Sequence, residues 1–430
     1  MTRQIPSAAQ GSRRRPAWYY YFLFLAVLLV GAAVFAYPKI RFERKFGAAR
    51  KELEARHLLS AQDKIDSGLQ RWPDDVSFHF LAARCARLRG NYVEAEKHLK
   101  RCQDDDELKG EVFLERALIR AARGDLGVEP ELQKLVADRN PEWGWILEAI
   151  AEGHLKQYRM VEAVNCADQW LQDQPDFPPA LRLKAECVNL RAGADEAIPL
   201  YQRALERDPD YEEARYQLAQ LLLEGRMKNI PAALSHCEVL YRRRPQHLDY
   251  QVAYAIALVE AGRAEEARPV VEQILSQEPQ LPLGLLLRGR VALMTDHPDQ
   301  ALPWLQKALD RDRSRPQTYF DLAECLRRLG REAEATKMAQ RGSEAEKESR
   351  RLSEITSRLI PESPHNADLY CEAGEIQLGF QNQDQALAWF ARALQEDPKH
   401  LRAHRILAEY FEKAGNIPLA NFHRQFVLKK

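Results

Sequence analysis

From about residue 42 onward, apolar residues return every three or four positions in runs of about 13–15 residues, the spacing of one buried helix face. Short polar stretches with Gly or Asn separate the runs, as in Arg89-Gly90-Asn91 and Ala414-Gly415-Asn416. The pattern predicts helices in pairs joined by tight turns, and a longer period lies over it. Ala83, Ala117, Ala151, Ala185 and Ala219 stand 34 residues apart, and the series continues at Ala255, Gly289, Ala323, Gly374 and Ala408 with one step of 36 and one of 51. A second series keeps the same steps through Ala61, Ala95, Ala163, Ala197, Ala233, Ala267, Ala301, Ala335, Ala386 and Ala420, with Glu129 in the one slot that is not small. Prolines punctuate the ends of units at Pro73, Pro141, Pro175, Pro209, Pro245, Pro279 and Pro398. Both series absorb the same insertions, so they mark one repeating unit.

Each unit reads as a helical hairpin. Small residues at fixed slots let its two helices approach, and larger apolar residues fill the space between hairpins. Asp195, Asp299 and Asp384 are expected just before second helices, capping their free N–H groups. Pro199, Pro269 and Pro303 are expected within about the first turn, where proline costs least. No hairpin can bury its apolar face alone, so neighbours must stack around a continuous core.

The period, the two small slots and the closing Asp-Pro resemble the tetratricopeptide repeat family over roughly residues 42–430. The resemblance implies an all-α fold, a right-handed solenoid of about eleven helix-turn-helix hairpins. Two places depart from the period: two extra residues fall between Gly225 and Pro231, and 17 fall between Gln340 and Pro364. Leu352, Ile355 and Leu359 form a helical stripe in the second insertion, which reads as a lengthened second helix followed by a proline-bounded break. The break is either a hinge between two blocks or a solvated helix packed on the next hairpin.

One segment has no such pattern. Ala17 to Tyr37 is 21 residues without a charged side chain or His, with aromatic residues at both ends. As a helix it would be about 31 Å long, the thickness of a bilayer core. The expected organisation is a basic tail at 1–16, a transmembrane helix at 17–37, the repeat array at 42–349, the extension and break at 350–366, and C-terminal hairpins at 367–430. The alternative is a signal peptide, with Arg13, Arg14 and Arg15 before the run and Val34-Phe35-Ala36 as the cleavage site. The protein is thus expected to be a single-pass membrane protein. The side of the array stays open, with a slight lean to the extracytoplasmic one.

Composition narrows the chemistry. Lys plus Arg and Asp plus Glu are both 63, so there is no basic excess to serve a nucleic acid. Seven Cys without a C-x-x-C form neither a disulfide framework nor a zinc ribbon. Cys85, Cys187 and Cys325 share one helical slot and read as small buried hydrophobes. His400 and His404, four apart, read as a surface pair without a metal, and Glu148, Glu152 and Glu186 as solvated faces. No phosphate loop, H-E-x-x-H or G-x-S-x-G occurs, so no catalytic residue, metal or cofactor is expected.

The resemblance also implies a ligand groove lined by the first helices. Its early part would hold Phe80, Arg84, Arg87, Leu114, Leu118, Trp145, Glu148, Glu152, Arg182, Glu186 and Asn189. The principal candidates are Tyr216, Leu223, Val252, Ile256, Val259, Leu283, Leu286, Arg290, Leu293 and Phe320, with Gln220, Glu324 and Arg327 nearby. No unit has Lys then Asn at the fifth and ninth positions, the pair with which some members clamp a chaperone's terminal carboxylate. So apolar a face, if solvent-exposed, marks an interaction site. The function expected is a membrane-anchored scaffold whose groove takes a peptide or helix of a partner protein. The alternatives are a self-associating structural protein with no groove ligand, or an enzyme with an unrecognised site.

Overall fold

The computed structural model describes residues 41–430 apart from 158, 225–227, 429 and 430. The apolar run at 17–37 lies outside the described residues. Among the described residues no helix is long and apolar enough to cross a membrane.

The chain divides between Glu115 and Arg116 into two units. The first contains α1 (41–54), α2 (Leu58–Leu69), α3 (Val76–Leu88) and α4 (Tyr92–Cys102), and α5 (Lys109–Ala122) begins in it. In the second, α6 (Glu129–Ala137) follows a short 3-10 turn. The hairpins then run α7 (Trp143–Lys156) with α8 (Met160–Asp173), α9 (Pro178–Ala192) with α10 (Ala194–Arg207), and α11 (Glu212–Leu223) with α12 (Ile230–Arg243). Next come α13 (Leu248–Glu260) with α14 (Ala264–Gln277), α15 (Pro282–Met294) with α16 (Pro298–Arg311), and α17 (Pro316–Arg328) with α18 (Glu332–Glu354). A single π turn, Ile355–Leu359, and the short α19 (Ile360–Glu362) lead to α20 (Ala367–Gly379) with α21 (Gln383–Glu396), then α22 (Leu401–Lys413) with α23 (Ile417–Leu428). Within the second unit each second helix packs on its own first helix and, from α8 to α16, on the first helix that follows.

The small slots are where helices touch. Every member of the second Ala series is fully buried. In the first series Ala117 alone is only half-buried. A Cβ added to Gly289 would meet Leu305 at 2.6 Å, and one at Gly374 would meet Phe390 at 2.8 Å. Among the described residues, seven turns between paired helices pass through one residue in the left-handed region, which only glycine enters without strain. Gly90, Gly262, Gly330 and Gly415 hold it with φ between 73° and 77°, while Arg56, Asp296 and Gln381 fill the equivalent slot at φ 61°, 58° and 61°.

Two local expectations need correction. Asp195, Asp299 and Asp384 do not precede their helices. Each is the second helical residue and makes no side-chain cap, so it acts by its charge near the free N–H groups. Pro199, Pro269 and Pro303 are each the sixth residue of their helix, one turn later than expected. The helices begin earlier than the apolar pattern indicates because their first turns are polar.

The junction between successive repeats has a bond that the sequence pattern does not announce. The carbonyl of a unit's closing proline accepts from the side chain six residues on. It does so from His79 to Pro73 (2.9 Å), Arg215 to Pro209 (2.6 Å), Gln251 to Pro245 (2.7 Å), Tyr370 to Pro364 (2.8 Å) and His404 to Pro398 (3.0 Å). Four residue types serve one acceptor, so the slot shows no single-residue signature.

Candidate protein-binding face

The first helices α11, α13, α15 and α17 lie side by side, each touching the next. They carry the ten predicted groove residues, and none of these is fully exposed. Leu223, Val259, Leu286 and Leu293 are buried to 7% exposure or less. Leu286 and Leu293 sit in one cluster with Leu305, Leu322 and Leu326. Val259 packs with Ala255, Leu258 and Val271. Leu223 joins Ala219, Leu222 and Ala253. These side chains therefore fill the seams between neighbouring helices and are not spare apolar surface, as the unit-by-unit pattern implied. The reason is geometric: a residue on the flank of one first helix is covered by the next unit.

Tyr216, Val252, Ile256, Leu283, Arg290 and Phe320 are half-buried. The Tyr216 ring lies 5.6 Å from that of Tyr250. Val252, Ile256 and Leu283 border the cluster around Leu258 and Val271. Phe320 lies against Gly342 of α18, where an added Cβ would come within 2.9 Å of its ring. Phe320 thus contacts its own hairpin's second helix.

Charged side chains pair between successive first helices, on α7 and α9 as well as on α13, α15 and α17. Arg182 donates to Glu148 at 3.2 Å and to Glu186 at 2.7 Å. Arg290 donates to Glu260 at 2.9 Å and stands 3.5 Å from Asp321, while Lys228 reaches Glu260 at 2.6 Å. Burial pushes the Glu260 carboxyl up, but hydrogen bonds from Lys228 and Arg290 outweigh it and hold the group below its usual value. Asp321 goes the other way, because burial raises it more than Arg290 lowers it. In the first unit the fully buried Glu115 accepts from Arg84 at 3.1 Å and from Arg87 at 2.5 Å. On α13, α15 and α17 the Glu260, Arg290 and Asp321 charges consequently pair between half-buried apolar side chains. Sequence reading missed it because the partners are about one unit apart in the chain. A signal was available: Glu148 and Arg182 differ by the repeat length.

Other candidates find plain partners. Glu148 is only 2% exposed, so it is not a solvated residue. His400 and His404 are buried rather than a surface pair. His400 caps α22 by accepting from Ala403 N–H and binds Asp368 at 3.0 Å, while His404 meets His423 at 2.9 Å. All seven cysteines are buried and free. Burial pushes the Cys85 thiol up to about 11 and those of Cys187 and Cys371 up to about 12, the reverse of what a nucleophile needs. Among the described residues no group of three or more His, Cys, Asp or Glu is placed to hold a metal.

Tetratricopeptide repeat models match residues 46–109, 194–226, 226–291 and 292–359, together just over half the chain. The chain is a tetratricopeptide repeat protein. It is similar to the solved structure of a tetratricopeptide repeat protein from Parabacteroides merdae, 16% identical over 65% of this chain and 97% of that one, with a TM-score of 0.40. It is similar also to MamA from Desulfovibrio magneticus, 18% identical over 40% of this chain and 95% of that one, TM-score 0.34. A tetratricopeptide repeat protein of Thermus thermophilus is 23% identical over 47% of this chain and 99% of that one, TM-score 0.32. No curated protein matches the chain. Tetratricopeptide repeat proteins in general bind protein partners.

Proposed function

We propose that this tetratricopeptide repeat protein is a scaffold anchored in a membrane by residues 17–37, and that its first-helix face holds a peptide or helix of a partner protein. The observation that carries the reading is the half-buried row Tyr216, Val252, Ile256 and Leu283, interleaved with the Glu260–Arg290–Asp321 ladder. Such a row offers apolar area that a docked segment would bury, and charges that would fix its register. Proximity labelling from the membrane-tethered chain tests it. Val252→Asp and Leu283→Asp should delete specific labelled proteins while helicity and melting temperature stay close to the parent's. Leu286→Asp, at a buried position, should instead unfold the unit locally. An unchanged set of labelled proteins in the first two variants would defeat the reading.

Self-association is a second reading, favoured by Ile417, Leu419, Phe422 and Leu428, all exposed on α23. Sedimentation in detergent separates the two, since a monodisperse monomer excludes it.

A further inference from the structure

We propose that the cleft opened where the repeat period breaks is a second binding site, for an extended peptide segment carrying a carboxylate. The insertion lengthens α18 to 23 residues and ends it in the π turn. The first helix that follows, α20, packs on α18 and on that turn. Between the end of α16, the outer half of α18 and the α20–α21 turn lies a cleft of about 800 Å³. That is within the range of about 300–1,000 Å³ typical of ligand pockets. π turns of this kind occur frequently at functional sites.

Four carboxamides line the cleft, Gln377, Gln381, Asn382 and Gln385, and the first and third are the informative ones. Gln377 is 7% exposed, and its Oε1 is buried without a hydrogen-bond partner. A buried polar atom in that state is destabilising unless something completes it. Asn382 stands where Asn91 and Asn416 cap their second helices, accepting from Glu94 N–H at 3.2 Å and Leu419 N–H at 3.3 Å. Asn382 makes no such cap and lines the cleft instead. A carboxamide presents a donor beside an acceptor, which matches the alternating N–H and C=O of an extended backbone.

Positive charge lies at the α16 side. Arg311 and Arg313 both line the cleft. Arg313 has a buried Nε without a hydrogen-bond partner, and its carboxylate neighbour Asp310 is 4.0 Å away. Asp312, between them, is already engaged by the N–H and hydroxyl of Ser314 at 2.9 and 2.6 Å. A guanidinium fork selects a carboxylate. A neutral glycan would satisfy the carboxamides but leave that guanidinium unmatched, which is why a peptide is the better fit.

The full chain should be tested on an array of random heptapeptides with Asp or Glu at the centre, beside the same array with Asn or Gln there. Acidic members should bind about tenfold better, as a charge-assisted bond replaces a neutral one. Gln377→Leu and Arg313→Ala should each lower that binding about tenfold, with Arg313→Lys retaining part of it. Arg311→Ala and Asn382→Ala lie outside the core and keep the test decisive if Gln377→Leu disturbs folding. Val252→Asp, on the first-helix face, should leave acidic-peptide binding intact, so failure here is distinct from failure of the scaffold reading. Equal binding of acidic and amide members would overturn the proposal, as would indifference to these cleft substitutions. Gln377-dependent binding on an oligosaccharide array would overturn it in favour of a glycan site.

Discussion

At the residue scale, the left-handed turn slot makes a signed prediction. Gln381 occupies at φ 61° a position that Gly262, Gly330 and Gly415 hold in other hairpins. A non-glycine residue in this region costs about 1–2 kcal/mol, partly offset by the extra unfolded-state entropy of glycine. Gln381→Gly should therefore raise stability by up to about 1 kcal/mol, and Gly262→Gln should lower it similarly, read from denaturant melts. The small slots predict the opposite response to added bulk. Ala255 is fully buried. Ala255→Leu should cost about 1–3 kcal/mol by overpacking a close helix contact. If it is neutral, the slot is not where the helices touch. Gly153→Ala should also destabilise, since its new Cβ would stand 2.2 Å from the Ala121 carbonyl oxygen.

At the element scale, hairpins are locked by polar pairs with distinct pH windows. His79 and His404 each donate from Nε2 to a proline carbonyl, so their Nδ1 atoms accept from His98 and His423, both at 2.9 Å. Burial and then the neighbouring imidazole push His98 and His423 below the usual 6.5. The unfolded chain thus takes up these protons more readily than the folded one. Stability is complete above pH 6.5 and is lost as pH falls through the window below it. His98→Leu and His423→Phe should flatten the change in melting temperature between pH 7.5 and 5.5. Glu115 acts lower. Burial raises its carboxyl, but Arg87 and Arg84 outweigh that and hold it below 4.5. Its contribution is present above pH 4.5 and fades under further acidification. Glu115→Gln leaves two arginines without their carboxylate and should cost about 3–5 kcal/mol at neutral pH, measured by urea unfolding.

At the scale of the whole molecule, stability resides in contacts between neighbours, so the chain from Phe42 onward should be soluble without detergent and almost wholly helical by circular dichroism. Substantial strand signal would contradict the fold. The proposed anchor at 17–37 has its own test. Full-length protein should resist carbonate extraction and keep Met1 or Thr2 at its N-terminus. A mature chain beginning at Tyr37 would mean secretion instead. Protease protection in intact cells or spheroplasts then assigns the side on which the array lies.

How much of this was legible depends on the range of the interaction. The hairpins, their turns and the small slots follow from local spacing, because a helix displays every third or fourth residue on one face and a close contact admits only Ala or Gly. The long α18 was likewise readable from the stripe Leu352, Ile355 and Leu359, of which Ile355 is fully buried and the other two border its cluster. The face was not. Leu286 and Leu293 look spare within their own hairpin and are covered by the next, a fact that exists only once units are stacked. The Glu148–Arg182 pair, the proline-carbonyl bonds and the unpartnered Gln377 belong to the same class. Sequence alone determined which residues each helix turns inward. Only the tertiary structure decided which of the remaining ones stay open, because burial between repeats depends on how closely neighbouring first helices approach.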